Sequence, residues 1–271
     1  MTLKILTLSW NGLHHLKSLR DNLLPLLKEL DGEWFIKSNG CTDGTIDEVK
    51  TWGGNVNPVA YKDNLQNFSE GCNYLFNVAC PKDNDLVMLL NNDILFHDTS
   101  SISKMISHLK DNVGVVGSKL LYPDKKTLQH AGVVFTPKYR LPINYRAGEK
   151  DDANSSKNRY FQAITGAIAL MRAGTYRALG KNKSGNIGLD EEFQWAFDDV
   201  DMCLQIRYNL GKKVVYVGDT LITHQESATL KKNAVNKLFL NKNAMHFLHK
   251  WGKLHTVDVD LYRNNQEYNL V

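Results

Sequence analysis

The sequence predicts an α/β protein built on a largely parallel sheet, and three observations carry that expectation. Short β-like runs alternate with helix-period segments through the first half of the 271 residues. The most apolar run, Asp85-Leu86-Val87-Met88-Leu89-Leu90, stops abruptly in Asn91-Asn92-Asp93, as a strand meeting a crevice would. Hydrophobic content of 42% with 23% charged residues suits a globular chain with a sizeable core.

Taken in order, Leu3 to Ser9 reads as a buried first strand. Leucines at 13, 16, 19, 23, 26, 27 and 30 follow a period near 3.6 and predict a helix that Pro25 bends or splits. Trp34 to Lys37 is a second strand, and Thr42-Asp43-Gly44 a turn and cap before another helix. Val56 to Tyr61 is a third strand, Ser69 caps a helix running through Cys80, and Asp85 to Leu90 is the fourth strand. A helix over about 99–110 and a strand Val113 to Gly117 follow. The polar stretch 138–159 reads equally as a lid or as a mobile loop. Ala163 to Leu170 is strand-like, a helix starts near Ala173, and the acidic segment 190–201 runs into a helix ending near 210. After the strand Lys213 to Val217, the chain from Leu230 to Trp251 reads as a helix, with Leu238, Leu240, Ala244, Phe247, Leu248 and Trp251 broadly on one side.

A formal net charge of +4 fits anionic ligands such as nucleotide diphosphates, and no element interleaves basic and aromatic residues as a nucleic-acid surface would. Cys41, Cys72, Cys80 and Cys203 form no C-x-x-C pair, so zinc-knuckle and redox chemistry are not expected, and a reducing cytosol fits. No signal peptide and no membrane span are expected, which makes the chain cytoplasmic on this reading.

Three places carry candidate chemistry, each with an ordinary alternative. Asp93 ends the fourth strand, where a carboxylate holds a divalent cation or merely makes a turn. Asp198, Asp199 and Asp201 fall at the first turn of a helix, where acids stabilise the dipole or one serves as a general base. His224 stands a short turn beyond a strand, as a cation ligand or a plain hydrogen-bonding residue.

Their order along the chain resembles a family 2 glycosyltransferase of the GT-A fold, in its rhamnosyltransferase-like branch. The matching pieces run over about 1–251: Ser9-Trp10-Asn11-Gly12, Asn39-Gly40-Cys41-Thr42-Asp43-Gly44, Asn91-Asn92-Asp93, Gly114 to Asp124, Gln129-His130-Ala131-Gly132, Thr165-Gly166-Ala167, Phe197 to Cys203, and His224-Gln225-Glu226-Ser227. The resemblance implies a GT-A domain over 1–227, its nucleotide-sugar half over about 1–125 and its acceptor half over about 126–227, then a helical extension over 228–271. It implies direct displacement of a nucleoside diphosphate with inversion, metal-dependent through Mn²⁺ or Mg²⁺ on Asp93 and His224. Asp199 becomes the base and Asp198 its support. Ser9, Asn11, Asn39, Asn64 and Asn92 line the nucleotide, and Gly166 and Trp195 face the sugar or acceptor. The donor is then a dTDP-, UDP- or GDP-sugar, with rhamnose suggested, and the acceptor a glycan or lipid-linked hydroxyl. The C-terminal helix reads as packing on the domain, while Lys237, Lys242, Lys250 and Lys253 leave open a membrane surface, and a homodimer contact is a third option. Ser38 in place of an Asp, Asn67 in place of a Gly and Asn91 in place of an Asp depart from the pattern. A nucleotidyltransferase would need a Gly-rich, Arg-containing loop after the first strand, which Trp10-Asn11-Gly12-Leu13 lacks; an inactive nucleotide- or glycan-binding relative is the non-enzymatic alternative.

Overall fold

The structure is a computed structural model that describes residues 1–60, 67–180, 187–194, 196–225 and 234–264, with side chains from 240 onward in the last segment. The elements, in chain order, are β1 (Leu3–Ser9), α1 (Leu13–Glu29), β2 (Gly32–Ser38), α2 (Thr45–Lys50), β3 (Val56–Ala60), α3 (Phe68–Ala79), β4 (Leu86–Leu90), β5 (Ile94–Phe96), α4 (Ser101–His108), β6 (Val113–Ser118), β7 (Leu120–Leu121), β8 (Leu128–His130), β9 (Val133–Phe135), β10 (Pro142–Asn144), β11 (Arg159–Phe161), β12 (Ile168–Arg172), α5 (Ala173–Ala178), α6 (Asp198–Tyr208), β13 (Lys213–Val217), β14 (Ile222–His224), α7 (Ala234–Trp251) and α8 (Val259–Arg263). An eight-stranded sheet has the order β11-β13-β6-β12-β4-β1-β2-β3. Within it β3, β2, β1 and β4 are mutually parallel, and β12 runs antiparallel between β4 and β6.

Strand alternation divides the core. Leu3 and Ile5 of β1, with Leu86, Met88 and Leu90 of β4, join α1, α2 and α4 on one face. Leu6, Val87 and Leu89 join α3, α5 and α6 on the other. Among the described residues no helix is long and apolar enough to cross a membrane.

Several expectations change in detail. Helix α1 passes through Pro25 unbroken, because five leucines of one stripe (16, 19, 23, 26, 27) are buried. At roughly 1.5–3 kcal/mol each they outweigh the ~3 kcal/mol an interior proline costs. Asn67, not Ser69, caps α3: its side chain accepts from Glu70 N at 2.8 Å while the Glu70 carboxylate takes Asn67 N–H at 3.0 Å. The expected strand over 163–170 begins only at Ile168, because the amides of Thr165 and Gly166 bond to side chains instead of a neighbouring strand. The polar stretch is built into the domain. Pro142–Asn144 pairs with β9, Arg146 grips Asp152 at 2.8 Å, and Arg140 bonds to the Gly252 carbonyl at 3.0 Å.

The buried face of α7 is Asn243, Phe247 and Trp251, whereas Leu240 and Leu248 point outward and Leu238 lies outside the described side chains. A polar latch sets this choice. Lys250 Nζ bridges Asp201 at 2.7 Å and Asp190 at 2.8 Å, and Trp251 Nε1–H donates to the fully buried Asp201 at 2.7 Å. Asn243 bonds to the backbone of Gln194 and of Ala196, the latter at 3.0 Å.

Candidate active site

Open α/β sheets take ligands in the crevice beyond the carboxyl ends of their strands, and beyond those of β1, β2 and β4 the connecting turns bond to one another. Ser9 is buried, and its Oγ accepts from Asn92 Nδ2 at 3.1 Å. Asn92 comes this close only because residue 12 is glycine; a Cβ there would lie 2.2 Å from Asn92 Nδ2. Asn11, at a left-handed φ of 49°, accepts Thr42 N–H at 2.7 Å, and Asp43 accepts Leu13 N–H at 2.9 Å. Asn39 N–H donates to the Ser9 carbonyl at 2.8 Å, and Asn39 Oδ1 accepts from Lys37 Nζ at 2.8 Å. Lys37 is fully buried, and that burial pushes its amine down to about 8. Asn64 and Trp195 lie outside the described residues.

Asp93 and His224 come together through a second, four-stranded sheet of order β5-β14-β7-β8. Strand β14 pairs antiparallel with β5, so His224 sits opposite Ile94, and Gln225 N–H donates to the Asp93 carbonyl at 2.9 Å. His224 Nε2 is then 3.0 Å from Asp93 Oδ1 and 3.3 Å from Asn91 Nδ2. Its Nδ1 is 2.7 Å from Gln129 Oε1, an acceptor, which assigns a proton to Nδ1 and turns Nε2 toward Asp93. Nε2 and the Asp93 carboxylate therefore face each other across a gap that either a proton or a cation bridges. One imidazole nitrogen and one carboxylate oxygen could take Mn²⁺ or Mg²⁺. Among the described residues no three His, Cys, Asp or Glu side chains are grouped to hold a metal, so such an ion would rest on two protein ligands. His15, in the first turn of α1, bonds to Gln225 and feels the Asp93 charge; burial, then His14, pushes its imidazole below the ordinary range.

Across the crevice stands the acidic turn of α6. Phe197 holds a left-handed φ of 74°, strained for an aromatic residue, and aims the next two carboxylates. Asp199 Oδ2 accepts Gly166 N–H at 2.9 Å and its Oδ1 accepts Val200 N–H at 2.8 Å. The residue as a whole is half-buried. A side chain at 166 would bring its Cβ to 3.0 Å from Asp199 Cβ, which accounts for the glycine. The two sides of the crevice join directly, because Asn91 N–H donates to the Ala167 carbonyl at 2.9 Å. Asn67 and Asn73 of the α3 segment tie that helix to the segment before α6 by bonding to the carbonyls of Glu191 and Leu189, at 2.9 and 3.0 Å.

Burial, and then the Asp199 charge, pushes the Asp198 carboxyl up to about 7; burial also raises Asp199. The folded chain therefore holds more protons than the unfolded one between the ordinary carboxylate range and about pH 7, and the pair costs stability as pH rises through that window. Asp198→Asn imitates the neutral form. It should match the unmodified chain near pH 4 and exceed it by on the order of a few kcal/mol near pH 7. Urea unfolding in EDTA at both pH values measures this, and an equal difference at the two would rule out the charge-burial cost.

Sequence reasoning gave no role to Gln129, Thr165, His15, Gln225 or Lys37. Gln129 and Thr165 stood inside motif segments, which was the available signal; the burial of Lys37 had none.

The fold is that of the GT-A glycosyltransferases. The chain superposes on GalNAc-T7, in a structure with UDP, GalNAc and Mn²⁺, with a TM-score of 0.68 at 11% identity over 93% of this chain and 48% of that one. On TarS 1–349 of S. aureus the TM-score is 0.55 at 11% identity, over 97% and 78%. In sequence it is 29% identical over 232 residues to the O-antigen biosynthesis protein RfbC of Myxococcus xanthus, covering 81% of this chain and 17% of that protein. It is 31% identical over 153 residues to the uncharacterized protein y4gI of Sinorhizobium fredii (strain NBRC 101917 / NGR234), covering 54% and 16%. The chain thus spans about a sixth of the length of these curated relatives. No family model matches it.

Proposed function

We propose that this chain is a glycosyltransferase that moves a sugar from a nucleoside-diphosphate donor to a hydroxyl of a glycan or lipid-linked acceptor. The observation that carries the reading is the pairing of Asp93 with His224 at one side of a crevice whose other side holds Asp199 between two backbone amides.

The acceptor oxygen attacks the anomeric carbon, its proton passes to the Asp199 carboxylate, and the bond from that carbon to the diphosphate oxygen breaks. The electron pair leaves with the diphosphate, and the configuration inverts. Asp93 and His224 would hold a divalent cation, Mn²⁺ or Mg²⁺, which would supply positive charge against the departing diphosphate. The Gly166 and Val200 amides keep Asp199 oriented, and Asp198 supports it by sharing the proton load of the turn. Ser9, Asn11, Asn39 and Asn92 shape the nucleotide crevice. The name of RfbC favours a polysaccharide acceptor and the UDP of the GalNAc-T7 structure a UDP-linked donor, while the motifs suggest rhamnose on a dTDP or UDP carrier.

A thermal-shift panel of dTDP, UDP and GDP, each with and without Mn²⁺, tests the reading. At 100-fold excess over its Kd a ligand adds roughly 2.7 kcal/mol, so one nucleotide should raise Tm by several degrees only with metal. If none shifts Tm and no donor of the panel releases its nucleotide, the proposal fails.

A further inference from the structure

The segment Gln129-His130 resembles a family motif yet has no part in the chemistry above. It lies on the short strand β8, and both residues are almost fully buried. Adjacent residues of a strand face opposite ways, and here the two directions lead to the two halves of the site. Gln129 Oε1 accepts the Nδ1 proton of His224 at 2.7 Å, and Gln129 Nε2 lies 3.5 Å from the His224 carbonyl. His130 Nε2 accepts Thr165 N–H at 3.4 Å, while its Nδ1 donates to Asn144 Oδ1 at 2.8 Å. Thr165 and Gly166 in turn bond to Asp199.

We propose that Gln129 and His130 are paired positioning residues: Gln129 fixes His224 in the tautomer that presents Nε2 to the cation site, and His130 fixes the Thr165–Gly166 backbone that carries Asp199. The inference rests on the glycosyltransferase reading for its consequence, though not for its geometry. An outer hydrogen bond to a ligating imidazole sets ring orientation and basicity, and its loss typically costs 10–100-fold in metal affinity. A buried amide acceptor such as His130 Nε2 keeps the Thr165 turn from reorganising, and Asn144 holds that ring in the matching tautomer. Burial supports this by pushing the His130 imidazole down to about 4, which keeps it neutral with one donor and one acceptor nitrogen. A single strand would thereby hold the donor-side and acceptor-side groups at a fixed separation.

Two measurements on the full chain test this. The first is the ¹⁵N imidazole spectrum of His224 without ligands: a protonated Nδ1 is expected in the unmodified chain and in Gln129→Glu, and mixed tautomers in Gln129→Leu. The second is Mn²⁺ titration with UDP as probe. Gln129→Leu should weaken Mn²⁺ by roughly 10–100-fold, Gln129→Glu should restore it, and His130→Leu should leave it unchanged while speeding hydrogen exchange at Thr165 and Gly166. His130→Gln, which can still accept from Thr165, should restore the protection and guards against a leucine variant that fails to fold. An unaltered His224 tautomer in Gln129→Leu, or His130→Leu weakening Mn²⁺ as much as Gln129→Leu does, overturns the proposal. If the unmodified chain binds none of UDP, dTDP and GDP with Mn²⁺, the functional reading fails, and the tautomer and exchange results still decide this inference.

Discussion

Asp199→Asn is expected to reduce sugar transfer by about 10²–10⁴-fold, the range of a lost general base, while leaving nucleotide affinity within about twofold. The reason is local. The carboxylate has two acceptor oxygens, and the Gly166 and Val200 amides each donate to one of them. An asparagine keeps a single acceptor, so one amide then faces an NH₂ group at a cost of roughly 1–3 kcal/mol. Removing a charge from a turn that also carries Asp198 and Asp201 works in the opposite direction, so Tm should move little. Steady-state transfer with the donor identified by thermal shift, beside calorimetric titration of its nucleoside diphosphate with Mn²⁺, gives the comparison. Transfer at the normal rate would remove Asp199 from the mechanism.

The second large effect belongs to Asp93. Asp93→Asn should weaken Mn²⁺ in the presence of nucleotide by roughly 100-fold or more, exceeding the effect of an outer-shell change, and abolish transfer with it. In EDTA the same variant should stay within about 1 kcal/mol of the unmodified chain, since an amide at 93 can still bond to a neutral His224 Nε2 where the carboxylate pairs with it at 3.0 Å. The combination is diagnostic, since a fold defect would lower Tm with and without metal. Unchanged Mn²⁺ affinity would move the cation site elsewhere.

What could be read in the sequence was local. The alternation in Leu3 to Ser9 and the leucine stripe of α1 each lie within one element, and each appears in the structure where the pattern puts it. Ordered motifs singled out Asp93, His224 and Asp199, though no spacing disclosed how Asp93 and His224 meet. His224 reaches Asp93 through antiparallel pairing of β14 with β5, some 130 residues apart in sequence, and short strands leave little trace of such partners. Asn67 and Ser69 are both competent caps; the glutamate three residues after Asn67 is the feature that chooses between them. On α7 the apolar period pointed partly to the wrong face. Asn243 and Lys250 have specific buried partners, and those bonds outweigh leaving Leu240 and Leu248 in water. Asn67, which departs from the family pattern, also ties α3 to Glu191, so one substitution serves as helix cap and crossbar.

The latch on α7 has an electrostatic reach beyond packing. Three aspartates share one helical turn, and the cation that bonds to one of them arrives from about fifty residues further along the chain. Shortened before that lysine, the turn would confront its own mutual repulsion and take up a proton to relieve it, leaving the buried Asp201 less often ionised. The last helix thus helps set the proton inventory of a turn to which it contributes no acid of its own.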